Sequence, residues 1–327
     1  MKIGIAGAGL MGETHALNYQ KIQDVKVFAL AERNEERSEK FLKTFHPVKV
    51  YQDVFDMIND NEIDVIDICL PTPLHVPVTI ASLNNNKHVL LEKPIALTIE
   101  DALKIKDAEE KSNAKLMIAH VLRFWPQYTV IQKYIQDELL EQGITEIYAS
   151  RFNELPLWSE GTWIMEEEQS GGLIIDLMIH DIDFITWNLG KVNRVWCTGI
   201  HNSNNFAIQV MSVLEMANGA VAYVEGGYLH PSQAGLSSQM RVYTGNSLLE
   251  MYSHQNNIVL TRSNGPREEL KVPSMDGYYE EIKYFIDCIR HDKEIRQVTT
   301  EDAIGSLKIC LSLKESLKQG GEWVSIS

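Results

Sequence analysis

The sequence is sparing in several features that would each have set its class. It has four cysteines, Cys69, Cys197, Cys288 and Cys310, widely spaced and without a C-x-x-C pair. That argues against a disulfide frame or a zinc knuckle and for reduced thiols in a cytoplasmic protein. No apolar run approaches the ~18 residues of a membrane helix, and the first residues lead straight into a Gly-rich turn rather than a signal peptide. Basic residues are outnumbered, 30 Lys and Arg against 45 Asp and Glu, so the net charge is -15 and a nucleic-acid backbone is an improbable partner. There is neither an internal repeat nor a low-complexity linker. What remains is 327 residues of ordinary globular composition, enough for about two domains at roughly 100–200 residues each.

The first part alternates apolar strands with polar helices. Lys2–Ala6, Val25–Ala31, Val65–Leu70, His88–Leu91 and Leu116–Ala119 read as strands, and Glu35–Phe45 and Ile99–Lys111 as helices between them. That order predicts βαβ units on a doubly wound parallel sheet, a Rossmann domain over residues 1–121. From 122 to 327 the texture changes. Ile144–Phe152, Val192–His201, Ala207–Met216 and Ala220–Tyr228 read as long strands, with an Asn218-Gly219 hairpin signal between the last two. This predicts an α+β domain with a large, mostly antiparallel open sheet and helices on one face. Glu301–Leu317 reads as a closing helix with a cap at Thr299 or Thr300.

Gly7-Ala8-Gly9-Leu10-Met11-Gly12 fits G-x-G-x-x-G, and its place between a strand and a helix turns a weak pattern into a dinucleotide site. Gly7 permits the turn, Gly9 lets backbone approach a pyrophosphate, and Gly12 lets the helix pack on the strand. Glu32, at the end of the second strand, is the expected acceptor for the adenosine ribose hydroxyls and favours NAD. The adjacent Arg33 offers a contact to a 2′-phosphate, which keeps NADP open. Pro71-Thr72-Pro73-Leu74-His75 and Glu92-Lys93-Pro94 each follow a strand at its carboxyl end, where ligands of such sheets bind. Pro71, Thr72, His75, Glu92 and Lys93 are therefore expected to border the cofactor, and Lys93 to polarise a carbonyl or relay a proton.

In the second domain Gly171-Gly172 opens LIIDLMIHDIDFITWNLG, apolar at nearly every position. Asp176, His180 and Asp183 recur at helical spacing on one stripe. Such a stripe serves as a general base oriented by a carboxylate, as a satisfied core pair, or as metal ligands. Arg123, Asn153, Trp158, Trp163 and Tyr279 are candidate substrate contacts, the aromatic faces suited to sugar rings. His120 is a further candidate for the crevice. Glu166-Glu167-Glu168 reads as a solvated face. Arg123 and Arg151 are the evident cations for an acidic substrate.

GAGLMG, PTPLH, LLEKP and GGLIIDLMIHDID together, in this order across residues 3–190, resemble the Gfo/Idh/MocA oxidoreductases. The resemblance implies that Lys93, Asp176 and His180 form a catalytic trio, without metal. It implies a hydride passing between a nicotinamide and a secondary carbinol of a sugar, cyclitol or related polyol. It also implies a cis Lys93–Pro94 peptide and a homodimer or homotetramer built through the open sheet. A dihydrodiol or deoxysugar dehydrogenase of the same family and a non-catalytic dinucleotide sensor are the alternatives. Two departures bear on substrate. The turn reads Thr72-Pro73-Leu74 where the family often has Thr-Pro-Asn. Leu122-Arg123-Phe124-Trp125 lacks the paired arginines of many inositol-specific members, which argues against inositol itself.

Overall fold

A computed structural model describes residues 1–156, 163–255 and 257–326. In chain order the elements are β1 (Lys2–Ala6), α1 (Leu10–Tyr19), β2 (Lys26–Ala31), α2 (Glu35–Phe45), β3 (Lys49–Tyr51), α3 (Val54–Ile58), β4 (Val65–Ile68), α4 (His75–Asn84), β5 (His88–Glu92), α5 (Ile99–Lys111) and β6 (Leu116–Ala119). There follow α6 (Pro126–Tyr134), β7 (Ile144–Glu154), α7 (Glu167–Ser170), α8 (Ile179–Leu189), β8 (Val192–His201), β9 (Ala207–Met216), β10 (Val221–His230), β11 (Ser237–Thr244), β12 (Ser247–Tyr252), β13 (Asn257–Arg262) and β14 (Glu268–Leu270). α9 (Gly277–Arg290), α10 (Thr300–Lys318) and β15 (Val324–Ser325) end the chain.

The elements sort into two compact units. One contains residues 1–124 and 275–304, the other 125–274 and 305–327. The expected single break after 121 lies near the first crossing. It has no place for the return of α9 to the first unit, a long-range packing choice that no local pattern signals.

The first unit carries six parallel strands in the order β3-β2-β1-β4-β5-β6, the doubly wound arrangement. Helices on both faces bury β4 and β6 at every residue, which is why these strands read as continuous apolar runs. α9 begins where the Asp276 side chain accepts the Tyr278 N–H, and it packs against α1. Its buried stripe of Ile282, Phe285 and Ile286 also carries Glu281.

The second unit holds nine strands in the order β14-β13-β12-β11-β7-β10-β9-β8-β15, antiparallel except for the β10–β7 pair. Burial alternates along β11 and β12, the mark of a sheet covered on one face. α8 packs on β7 and β10, and α6 on β13. The β9–β10 hairpin turns at Asn218-Gly219 with Gly219 at φ 90°, as the sequence predicts. α10 opens with a reciprocal cap: Thr299 Oγ1 accepts the Asp302 N–H at 3.1 Å, and Asp302 accepts the Thr299 N–H at 3.0 Å. No helix among the described residues is long and apolar enough to cross a membrane.

Candidate functional site

The glycine turn is shaped by contact rather than by flexibility alone. Gly7 lies at φ 96°, and a side chain there would strike the Cys69 carbonyl oxygen at 2.6 Å. A Cβ on Gly12 would lie 1.9 Å from the Gly7 carbonyl oxygen, so helix and turn can close only without one. Gly9, in contrast, faces open space, as an approach to a phosphate requires. Glu32 lies against this turn: Oε2 accepts the Ala8 N–H at 2.8 Å and Oε1 accepts the Asn34 N–H at 2.9 Å. Its carboxylate is thereby held at the mouth with lone pairs left for ribose hydroxyls. Leu10 is exposed, Met11 and Pro71 are half-buried, and Arg33 is exposed. These residues fit a dinucleotide.

Three other expected cofactor contacts do something different. His75 is 1% exposed, with Nδ1 2.7 Å from the Pro94 carbonyl oxygen and Nε2 2.9 Å from that of Leu70. Burial lowers its pKa, so the ring is neutral and donates from one nitrogen to one of these carbonyls, packed between the turn after β4 and the loop after β5. Thr72 is buried within that turn. Glu92 points inward: Oε1 lies 3.2 Å from His15 Nε2, and Oε2 accepts the Lys93 N–H at 3.1 Å. Lys93 is half-buried at the end of β5, and its peptide bond to Pro94 is cis.

Two more expectations need correction. Arg123, expected to meet substrate, is 1% exposed and tied within its unit to the Gln297 carbonyl at 2.8 Å and the Asp302 carboxylate at 2.9 Å. His120 is likewise buried rather than lining a crevice. Tyr279 is half-buried on α9, with Lys21 Nζ 6.0 Å from its ring centroid.

In the second unit the Gly-Gly turn leads into a π-helical stretch, Ile174–Met178, before α8 begins. The expected continuous α-helix is therefore widened over the turn that carries Asp176, a feature frequent at functional sites. Asp176 Oδ2 accepts the Tyr228 hydroxyl at 2.6 Å. Tyr228 lies on β10 and was not among the expected residues. Burial, then the Asp176 charge, lifts its pKa well above the ordinary value, so it stays a donor. Its place on β10 beneath the π-helical stretch identifies it, a contact that local sequence does not signal. His180 is half-buried on α8. Asp183 is fully buried and accepts the Ser306 hydroxyl at 2.9 Å, the structural pairing among the readings left open. Asn153 and Trp163 are half-buried on β7 and in a short 3-10 turn. Trp158 lies outside the described residues.

Arg151 is also spoken for. It is 5% exposed and bonds to Asp181 through Nε at 2.7 Å and Nη2 at 3.0 Å. The Tyr128 hydroxyl accepts from the same Nη2 at 2.9 Å. Both cations expected for an acidic ligand are thus neutralised inside their own units.

Comparison with known proteins agrees with this geometry. Residues 1–120 match the model of the oxidoreductase family with an NAD-binding Rossmann fold, GFO_IDH_MocA, and residues 139–249 match the GFO/IDH/MocA C-terminal domain. The chain belongs to the Gfo/Idh/MocA family and is an NAD-binding oxidoreductase. Among similar proteins, myo-inositol 2-dehydrogenase of Thermotoga maritima is 25% identical over 98% of this chain and 97% of its own length. Levoglucosan dehydrogenase of Pseudarthrobacter phenanthrenivorans is 28% identical over 69% of this chain and 67% of its own. A solved levoglucosan dehydrogenase in complex with NADH and levoglucosan has the same fold, with TM-score 0.88 at 20% identity, covering 100% of this chain and 99% of that one.

Proposed function

We propose that the protein reversibly oxidises a secondary hydroxyl of a sugar, cyclitol or related polyol with NAD⁺. The first unit binds the cofactor and the second supplies the substrate face. The observation that carries this reading is the pairing of a Glu32-gated glycine turn with Lys93 at the carboxyl end of β5 in a chain whose full-length relative is named for an inositol. The relatives' names supply the substrate class. The burial of Arg123 and Arg151 in internal ion pairs favours a neutral polyol over an acidic substrate.

When bound, the nicotinamide supplies the hydride acceptor at C4. His180 takes the hydroxyl proton as general base. Asp176, held by Tyr228, keeps the imidazole oriented and stabilises it once protonated. The Lys93 ammonium orients the hydroxyl and stabilises charge developing on its oxygen. Pro71 borders the ring from the β4 side, and Asn153, Trp158, Trp163 and Tyr279 contact the polyol. The non-catalytic sensor reading would not need Lys93, Asp176 and His180 together.

Exposed Ile200, Met211 and Tyr223 on neighbouring strands β8, β9 and β10 support a homodimer or homotetramer formed through this sheet. The free thiols of all four cysteines fit a cytoplasmic setting. A screen of polyols and keto-sugars with both NAD and NADP, read by reduced-nicotinamide absorbance, tests the assignment. Lys93→Ala and His180→Ala should each lower turnover about 100-fold or more with cofactor affinity nearly unchanged. Near-normal turnover by either variant removes that residue from the mechanism.

A further inference from the structure

The first unit contains a set of ionisable side chains that this chemistry does not use. His15, on the inward stripe of α1, is fully buried between two carboxylates. Its Nδ1 lies 2.9 Å from Asp67 Oδ2. Its Nε2 lies 3.2 Å from Glu92 Oε1, a close ion-pair contact rather than an aligned hydrogen bond. The Cys69 thiol donates to Asp67 Oδ1 at 3.3 Å. Tyr19 of α1 and Glu281 of α9, both fully buried, complete the surroundings.

Burial pulls the His15 pKa down, but the charge of Asp67, then Cys69, and hydrogen bonds to both outweigh it and leave the pKa above the ordinary value. Burial, and then the nearby Glu92 charge, raise the pKa of Glu281 well above the carboxylate range. Burial likewise keeps Cys69 and Tyr19 protonated. The His15 ring thus stands between the Asp67 and Glu92 side chains, with its protonated form favoured by Asp67.

Glu92 is the link to the reaction. One of its oxygens meets His15 behind it, and the other accepts the backbone N–H of Lys93 in front. We propose that His15 is a positioning residue for Lys93: its ring, wedged between Asp67 and Glu92, fixes Glu92, and Glu92 fixes the Lys93 peptide at the end of β5. The proposal rests on the reading of Lys93 as the group that meets the substrate hydroxyl. α1 also begins at the glycine turn, so one helix offers N–H groups to the dinucleotide and places the imidazole that sets Lys93.

The test is a double-mutant cycle on the full-length protein, with NAD⁺ and myo-inositol or levoglucosan, whichever is turned over. His15→Gln should lower kcat about tenfold or more, shift the Kd for NADH by less than about threefold, and still melt cooperatively. Added to Lys93→Ala, it should cost no more than about a further twofold, because its effect runs through the side chain already removed. Glu92→Gln breaks the same link while leaving the His15–Asp67 pair intact, and should match His15→Gln. Losses that multiply in the double variant, or wild-type kcat in Glu92→Gln, overturn the proposal. So does a stoichiometric transition metal in the purified protein: the Nδ1, carboxylate and thiol donors lie within 4.8 Å of one another, and a metal on Nδ1 would replace the His15–Asp67 hydrogen bond on which the box depends. If Lys93→Ala itself stays active, it is the assignment of Lys93 that fails. If Lys93→Ala is impaired and His15→Gln is not, only the role of His15 fails.

Discussion

Arg151 and Asp181 meet through two hydrogen bonds, Nε to Oδ2 at 2.7 Å and Nη2 to Oδ1 at 3.0 Å, with both side chains withdrawn from solvent. Such a fork satisfies the desolvated charges of both partners, and Tyr128 donates to Asp181 at 3.3 Å as well. Removing one partner strands the other. Asp181→Asn should therefore cost about 3–5 kcal/mol in urea unfolding, and an apolar double replacement such as R151M/D181L should recover much of that loss. A single variant as stable as the wild type would show that the pair is solvated after all.

Glu281 makes a prediction of opposite sign. Its folded pKa is raised, first by burial and then by Glu92, so its contribution to stability is fully present below the ordinary carboxylate pKa. As pH rises above that value, the unfolded chain gives up its proton while the folded chain keeps it, and stability falls until the folded pKa is reached. Glu281→Gln removes this dependence. The melting temperature of the variant relative to wild type should rise steadily from about pH 4.5 upward. A difference that stays flat with pH would mean that Glu281 ionises normally in the folded protein.

In the proposed reading Glu32 selects the cofactor: its oxygens hold the Ala8 and Asn34 N–H groups, and its carboxylate would meet the adenosine ribose and disfavour a 2′-phosphate. Glu32→Ala should weaken NADH binding about tenfold, the loss of one or two hydrogen bonds to a charged group, and move preference toward NADPH. Fluorescence titration with both cofactors measures it. Tighter NADPH binding by the unaltered protein would contradict the assignment.

Legibility in the sequence followed the physical reach of each signal. The Rossmann strands were readable because burial on both faces demands unbroken apolar runs, and the Gly7–Gly12 turn because its glycines answer to local collisions. β3 and the strands β11 to β14 were not anticipated. β3 spans only Lys49–Tyr51, and β11 and β12 alternate buried with half-buried residues, including Gln239, Arg241 and Glu250. Polar residues on buried stripes misled most. Arg123 looks like a ligand contact until Asp302 arrives from far along the chain, while the cluster of His15, Asp67 and Glu281 goes unread because it joins residues far apart in sequence. The signal available was their position: His15 falls between Gly12 and Tyr19 on the apolar stripe of α1, and Asp67 interrupts an apolar strand.

The return of residues 275–304 to the first unit sets an order of assembly. The strands of the cofactor-binding sheet are synthesised within the first 119 residues, yet α9, which covers His15 and Tyr19, appears only after the whole nine-stranded sheet except β15 has been made. During synthesis at roughly 5–20 residues per second, the nascent chain must hold an unroofed face of α1 for several seconds or more. A gene fragment cut after residue 124 would encode every residue of the glycine turn and still lack the helix that seals the charged box behind Lys93.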